Sequence, residues 1–261
     1  MRAVAVRTGG AVVAFVVLVG AWKAYIAWSD VSPFLLPPPE DVGRATLDLL
    51  GTGRTWHHVW VTLHEIGLGF LIASAVGVAL GTLLGEVPVL DRALTPYVVV
   101  LQVLPKVAIV PILLMWMGFG AASKVALAAI FGFFPIFAGT RAGVRSVDGG
   151  HRDLATTLQA RPHHRLLLIE LPSALPSILT GMEIGMVLAT VGAVVGEYLS
   201  GGEGLGFLVV SYTGQLQIDE AFGVIVLLSA LGYVLHAAVA GLRRLVVPWH
   251  ASAVPVNAAV L

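Results

Sequence analysis

Three histidines, His57, His58 and His64, stand close together with Glu65 directly after the last, and His163 and His164 form a second pair. Histidine with glutamate is the raw material of a zinc site. However, His64-Glu65 lacks the second histidine three residues on that a zinc-protease helix needs, and neither group supplies a recognisable ligand set. The absence of cysteine excludes disulfides, thiolate metal sites and thiol catalysis. No Gly-x-x-x-x-Gly-Lys-Ser/Thr phosphate loop exists: the nearest stretch, Gly118 to Lys124, has no second glycine beside its lysine, so the chain is not expected to hydrolyse ATP itself. Gly202, Gly204 and Gly206 alternate, but they follow an apolar span and not the strand of a βαβ unit. They are read as an external re-entrant turn or short loop rather than a dinucleotide fingerprint. No catalytic residue, metal or cofactor is therefore expected in this chain.

The remaining ionisable groups matter because of where they fall. Mean hydropathy is +0.92, and 57% of the 261 residues are hydrophobic against 11% charged. That is more apolar surface than one aqueous core hides, so lipid must cover part of it. Charges at membrane depth are costly and usually face a bundle interior or a water-filled path. Lys23, Lys106, Glu183 and Glu197 are such groups. Lys106, between Pro105 and Pro111, is the first candidate for a translocation path, where it would attract an anion. The alternatives are a lysine that snorkels to the interface or pairs with a glutamate. Glu197 is a second path candidate, or else a gate or a helix cap. Net charge is zero, which offers no general field for nucleic acid.

The elements that must position these groups are helices. A window of roughly 19 residues finds six segments able to cross about 30 Å of hydrocarbon, at 10–28, 59–85, 97–118, 123–146, 177–199 and 221–242. The expected fold is thus an all-α, multi-pass membrane protein. Arg2 and Arg7 before the first apolar run suggest a signal peptide, but Lys23 interrupts that run and no clear cleavage site follows, so an uncleaved helix is expected. In 97–118 the prolines predict a kinked or partly unwound helix packed inside the bundle and away from lipid. Ser29 to His58, with Pro37-Pro38-Pro39, reads as an extended connection followed by an interfacial helix over Val42 to Leu50. Gly77, Gly81 and Gly85, and likewise Gly181 and Gly185, recur at helical spacing as close-packing faces. With the amino terminus inside, ten of the fifteen basic residues are cytoplasmic, which predicts both termini inside.

The longest cytoplasmic loop, about Val147 to Pro176, carries Asp153-Leu154-Ala155, then Gln159, then Ile169, Leu171 and Pro172. The pattern resembles the EAA loop of bacterial binding-protein-dependent ABC importer permeases: Glu-Ala-Ala, three residues, Gly, nine residues, Ile-x-Leu-Pro. Asp153 stands for the Glu, Leu154 for the first Ala, Ala155 for the second and Gln159 for the Gly. Leu104 to Pro111, Trp116 to Gly120, Phe133 to Ile136, Gly192 to Glu197 and Gly201 to Gly206 are similar to the nitrate, sulfonate, taurine and pyrimidine-precursor permeases. The likeness covers about Thr55 to Arg244.

This resemblance implies a type I ABC importer permease fold in the cell inner membrane. It implies an amino-terminal helix and external connection over 1–54, a permease domain over 55–244 and a cytoplasmic tail over 245–261. It further implies a homodimer with two ATPase subunits, which bind the ATP and Mg, and an extracytoplasmic solute-binding protein. The loop at about 147–172 would be the element that docks on the ATPase. Pro172 is expected to stop helical structure before the next span. The bend at Gln159 is expected to differ from that of a glycine, because Gln tolerates positive φ poorly. An ATPase-independent channel or ion-coupled carrier is the rival reading. It would show paired intramembrane carboxylates and two symmetric halves, and neither is clear.

Overall fold

The computed structural model describes residues 2–29, 31–150, 157 and 159–248. Its helices are α1 (Arg2–Ser29), α2 (Pro39–Leu50), α3 (Gly53–Glu86), α4 (Pro88–Val103), α5 (Lys106–Met117), α6 (Ala121–Arg145), α7 (Pro162–Arg165), α8 (Leu171–Ser200), α9 (Leu205–Gly214) and α10 (Ile218–Val246). A π-helical turn, Leu166–Glu170, joins α7 to α8. Among the described residues there is no strand. Pro39 and Pro88 open α2 and α4, where the missing N–H costs nothing because it would have had no partner.

The core is three helices deep, with α6 in the middle. Gly69, Gly77, Gly81 and Gly85 of α3 lie against Ala128, Ile136, Thr140 and Val144 of α6, so these two helices run parallel and in step. On the other face of α6, Gly132, Gly139 and Gly143 meet α8 at Gly185, Gly181 and Ala174, in antiparallel order. Without side chains at these contacts the backbones approach closely, and dispersion and weak backbone contacts hold them in place of hydrophobic exclusion. Both glycine faces read from the spacing lie at these contacts.

Because α3 and α6 are parallel, the chain between them must return from one end of the bundle to the other. The α4–α5 pair makes that return with an 89° bend at Leu104-Pro105. Pro105 has no N–H with which to continue α4, and it holds Leu104 extended. The expected kinked third span is therefore two helices, and it is not packed inside this chain. Asp91 is the one buried residue of α4, while Val103, Met115 and Trp116 are about three-quarters exposed (76%, 74% and 75%).

Four helices, α3, α6, α8 (with α7 and the π turn) and α10, are long and apolar enough to cross a membrane, and the bent pair counts as a fifth span. The predicted first span lies within α1, whose apolar stretch Val13–Ser29 is at the short limit for crossing hydrocarbon. The amphipathic stretch predicted before the second span is α2. It buries Val42, Ala45 and Leu49 on one face, and Leu49 packs with Leu205, Leu208, Val209 and Val224.

The three-helix contact sets a testable asymmetry among glycines. A Cβ at Gly181 would stand 2.6 Å from the carbonyl oxygen of Pro135, a backbone atom that cannot step aside. Gly181→Ala should destabilise the detergent-solubilised protein by about 1–3 kcal/mol. Gly67→Ala, in the same bundle but with nothing within 4 Å, should be neutral or stabilise by up to about 1 kcal/mol. Thermal unfolding monitored by size-exclusion chromatography distinguishes the two.

Candidate functional site

The helices place charge at both ends of the bundle, with Lys106 between them. One end carries Gly201 to Gly206 and is called the turn end; the other carries Ser146 and Leu171 and is called the loop end.

At the turn end α3, α6 and α8 converge on three enclosed charges: Glu65, Lys124 and Glu197 are 1%, 3% and 0% exposed. The Lys124 ammonium stands 3.2 Å from Glu65 Oε1 and donates to the carbonyl oxygen of Glu203 at 2.7 Å. Glu197 accepts from the Thr62 hydroxyl at 2.6 Å and from the backbone N–H of Gly206 at 2.6 Å. Thr62 Oγ1 accepts from Leu205 N at 2.8 Å, and His58 Nδ1 from Gly204 N at 3.0 Å. Three side chains thus satisfy successive N–H groups where α9 begins, and a carboxylate sits where the helix dipole favours negative charge. Only glycine fits there. Gly204 has φ +112, and a Cβ on it would collide with the Glu197 carboxylate. The segment read as a turn or short loop is thus a turn that ends at Gly204, with Leu205 and Gly206 already helical.

Beside this cluster a cleft of about 510 Å³ is lined by Trp60, His64, Glu65, Phe119, Lys124 and Glu203, among others. The histidines serve packing and hydrogen bonding here. Besides His58, His57 stands 3.4 Å from Glu203, and His64 lines the cleft. Among the described residues no three metal-ligating side chains are grouped.

The loop end is laced by arginines. Asp91, at the start of α4, is buried between Arg141 and Arg145 of α6; the Arg141 Nη2 contact is 2.9 Å. Arg165 bridges Glu86, the last residue of α3, at 2.9 Å and the fully buried Glu170 at 3.1 Å. Arg243 of α10 pairs with Glu183 of α8 at 3.3 Å. Two of the four groups placed at membrane depth by sequence therefore have charge partners, since Lys23 also pairs with Glu40 at 2.8 Å.

Lys106 has none among the described residues. It is half-buried at the first position of α5, with its ammonium 5.0 Å from the Phe134 ring centre and 5.9 Å from that of Phe131. These two phenylalanines stand near the midpoint of the 25-residue α6. The amine is thus level with the middle of α6. It lines a cavity of about 400 Å³ whose other walls include Ile72, Val76, Leu101, Ile109, Ile130 and Phe133, and no carboxylate. Cation–π attraction to the two rings is the interaction available to it within the chain.

Of the loop residues singled out by sequence, Asp153, Leu154 and Ala155 lie outside the described residues. Gln159 has φ +49, so the left-handed bend is kept where a glycine was expected to be needed, and Gln bears a strain of about 1–2 kcal/mol. Ile169 lies in the π turn, and Leu171 and Pro172 open α8. Pro172 does not stop the helix, which runs unbroken from His163 to Ser200. In the π turn Leu171 donates to the carbonyl oxygen of Leu166, five residues back, and this local register absorbs the proline without ending the helix.

A family model described as the binding-protein-dependent transport system inner membrane component matches residues 73–250. The chain belongs to that family. Its members are transport permeases and not enzymes, so this chain is the membrane-spanning permease subunit of an ATP-driven importer, a multi-pass protein of the cell inner membrane. Membership implies a solute-binding protein and a separate ATPase as partners. The chain is 34% identical over 217 residues to the formylaminopyrimidine transport permease protein ThiX of Halalkalibacterium halodurans, covering 83% of this chain and 86% of the relative. It is 28% identical over 236 residues to the putative aliphatic sulfonates transport permease protein SsuC of Bacillus subtilis, covering 90% and 86%. In fold it is similar to a chain of the MetNI methionine ABC transporter in an inward-facing conformation, with TM-score 0.62 at 20% identity, over 72% of this chain and 94% of that one. The permease fold expected from sequence is the fold observed.

Sequence reasoning missed Glu65, Thr62, Asp91, Glu86 and Glu170, and placed Lys124 in the external medium. A signal existed for Glu65 alone, a carboxylate inside an apolar helix.

The turn-end cluster makes a stability prediction. Lys124→Met removes the cation and leaves two enclosed carboxylates, at a cost of about 3–5 kcal/mol. Lys124→Met combined with Glu65→Leu should recover most of that loss. Thermal unfolding of the two variants in detergent checks both.

Proposed function

We propose that two copies of this permease pair to form the solute pathway, with one ATPase subunit on each loop end and the solute-binding protein on the turn ends. The loop ends would face the cytoplasm, as would both termini. Basic residues support that orientation: Arg92, Arg141, Arg145, Arg161, Arg165, Arg243 and Arg244 gather at the loop end, against Arg44, Arg54 and Lys124 at the turn end. The uncovered apolar surface of α4 and α5, including Val99, Val100, Val103, Met115 and Trp116, is available to a second copy.

The single observation that carries the pathway is Lys106. A cation level with the middle of α6, with no carboxylate beside it among the described residues, is favoured when water or an anion reaches it, and the broken helix at Pro105 is the kind of backbone found where a membrane protein lines a cavity. Glu197, also a candidate for the path, is assigned instead to holding the turn, since it is wholly enclosed. The solute would be a small sulfonate, nitrate, taurine or vitamin-precursor-like molecule. That range is supported by the names of the relatives and, for an anion, by Lys106.

Residues 147–172, with Asp153, Leu154, Ala155, Gln159, Ile169, Leu171 and Pro172, would form the element that docks on the ATPase. ATP and Mg would be bound by that partner. Closure of the ATPases would pull the loops and rock the helices from inward-open to outward-open.

Two outcomes are expected. Wild-type permease should bring down its ATPase from detergent extract, and Asp153→Lys with Ala155→Arg should not, while still eluting as a folded species; retention of the ATPase by the double variant would remove the docking role. Lys106→Met should lower uptake by the reconstituted importer about tenfold or more for an anionic solute, with ATPase association unchanged. Unaltered uptake kinetics would take Lys106 out of the path.

A further inference from the structure

The cavity beside Lys106 lies in the crook of the α4–α5 bend. Leu101 and Leu104 come from the α4 arm, Ile109 from the α5 arm, and α3 and α6 close it with Ile72, Val76 and Phe133. Its volume of about 400 Å³ falls within the range of about 300–1,000 Å³ common for small-molecule pockets. Among the described residues every side chain on its wall is apolar except that of Lys106. The ammonium stands over the rings of Phe131 and Phe134, both of which are buried.

One cation in an otherwise apolar wall sorts solutes by what else they carry. A sulfonate or carboxylate on an aromatic or aliphatic body sets its oxygens on the ammonium, and the body removes Val76, Ile109 and Phe133 from water. Nitrate meets the same ammonium, but it covers little of the wall, and no second donor side chain on that wall offsets the hydration it gives up. Taurine brings an ammonium two carbons from its sulfonate. That second charge would lie close to Lys106, repelled by it and with no carboxylate on the wall to accept from it. A neutral solute of the right shape fills the cavity and leaves the ammonium without a counter-charge.

We propose that this cavity selects the cargo: it favours an organic anion with a sizeable apolar body over nitrate, over taurine and other zwitterions, and over neutral solutes. The inference rests on the reading of Lys106 as part of the solute pathway and narrows the range of solutes given there. It assigns part of the selectivity to the permease itself.

The test is equilibrium dialysis of small probes against the full permease–ATPase complex in phosphatidylcholine nanodiscs, with empty nanodiscs as the blank. Naphthalenesulfonate should bind about tenfold or more tighter than nitrate, taurine or the neutral naphthalenesulfonamide. Lys106→Met should weaken naphthalenesulfonate about tenfold or more and leave naphthalenesulfonamide within about twofold of its wild-type affinity, which also reports that the cavity is still formed. Lys106→Arg, which keeps the cation, should retain most of the naphthalenesulfonate binding. Nitrate or taurine that binds the wild type as tightly as naphthalenesulfonate, and is lost in Lys106→Met, overturns the selectivity and leaves the pathway reading standing. Naphthalenesulfonate binding that survives Lys106→Met also overturns it. So does loss of that binding when phosphatidylglycerol replaces phosphatidylcholine, since the cavity would then be a lipid site. If none of the anions binds the wild type, it is the pathway reading of Lys106 that fails.

Discussion

Close approach of α3, α6 and α8 along their glycines is the contact on which the rest of this permease depends. Lipid tails are as apolar as leucine, so no hydrophobic force drives these helices together, and backbone proximity must supply the attraction instead. The parallel register of α3 on α6 and the antiparallel register of α8 on α6 follow from which glycine meets which backbone. The registers then dictate everything at the two ends. Glu65 and Lys124 face one another because Gly69 lies against Ala128, and Glu197 reaches α9 because Gly192 and Gly196 seat α8 on Leu127 and Lys124.

The two ends differ in how they handle charge. At the turn end the charged groups are enclosed and answer backbone N–H groups as well as each other, so that a glycine turn, a helix start and three spans form one unit. At the loop end the arginines are partly wet: Arg145 and Arg165 side chains are 50% and 36% exposed. The carboxylates that they hold, Asp91 and Glu170, are nevertheless buried, so at this end each of these pairs has one hydrated and one enclosed member.

What the sequence made legible was whatever is encoded locally. Apolar length located α3, α6, α8 and α10. Four-residue spacing located the glycine faces. The partner of Glu65 was hidden because Lys124 lies on another helix, and a hydropathy window ending near that lysine places it in water. The bend at Leu104-Pro105 was read as a kink because an average over 97–118 runs smoothly across two residues that in fact end one helix and begin another. Pro172 misled for a different reason. The rule that proline stops a helix assumes α-helical hydrogen bonding, and a π turn immediately before it changes the register. Gln159 shows the limit of reasoning from residue preference, since a strain of a kcal/mol or two is tolerated where the surrounding chain demands the bend.

The break between α4 and α5 has an electrical side. Starting α5 at mid-depth places the positive end of its dipole within the hydrocarbon, at the same position as the Lys106 ammonium. Both contributions have one sign, so they add at that position. A sodium ion or a proton drawn inward by the membrane potential would climb this hill, while an anion would not. Along the proposed pathway, the same bend would also insulate the membrane against a cation leak between turnovers.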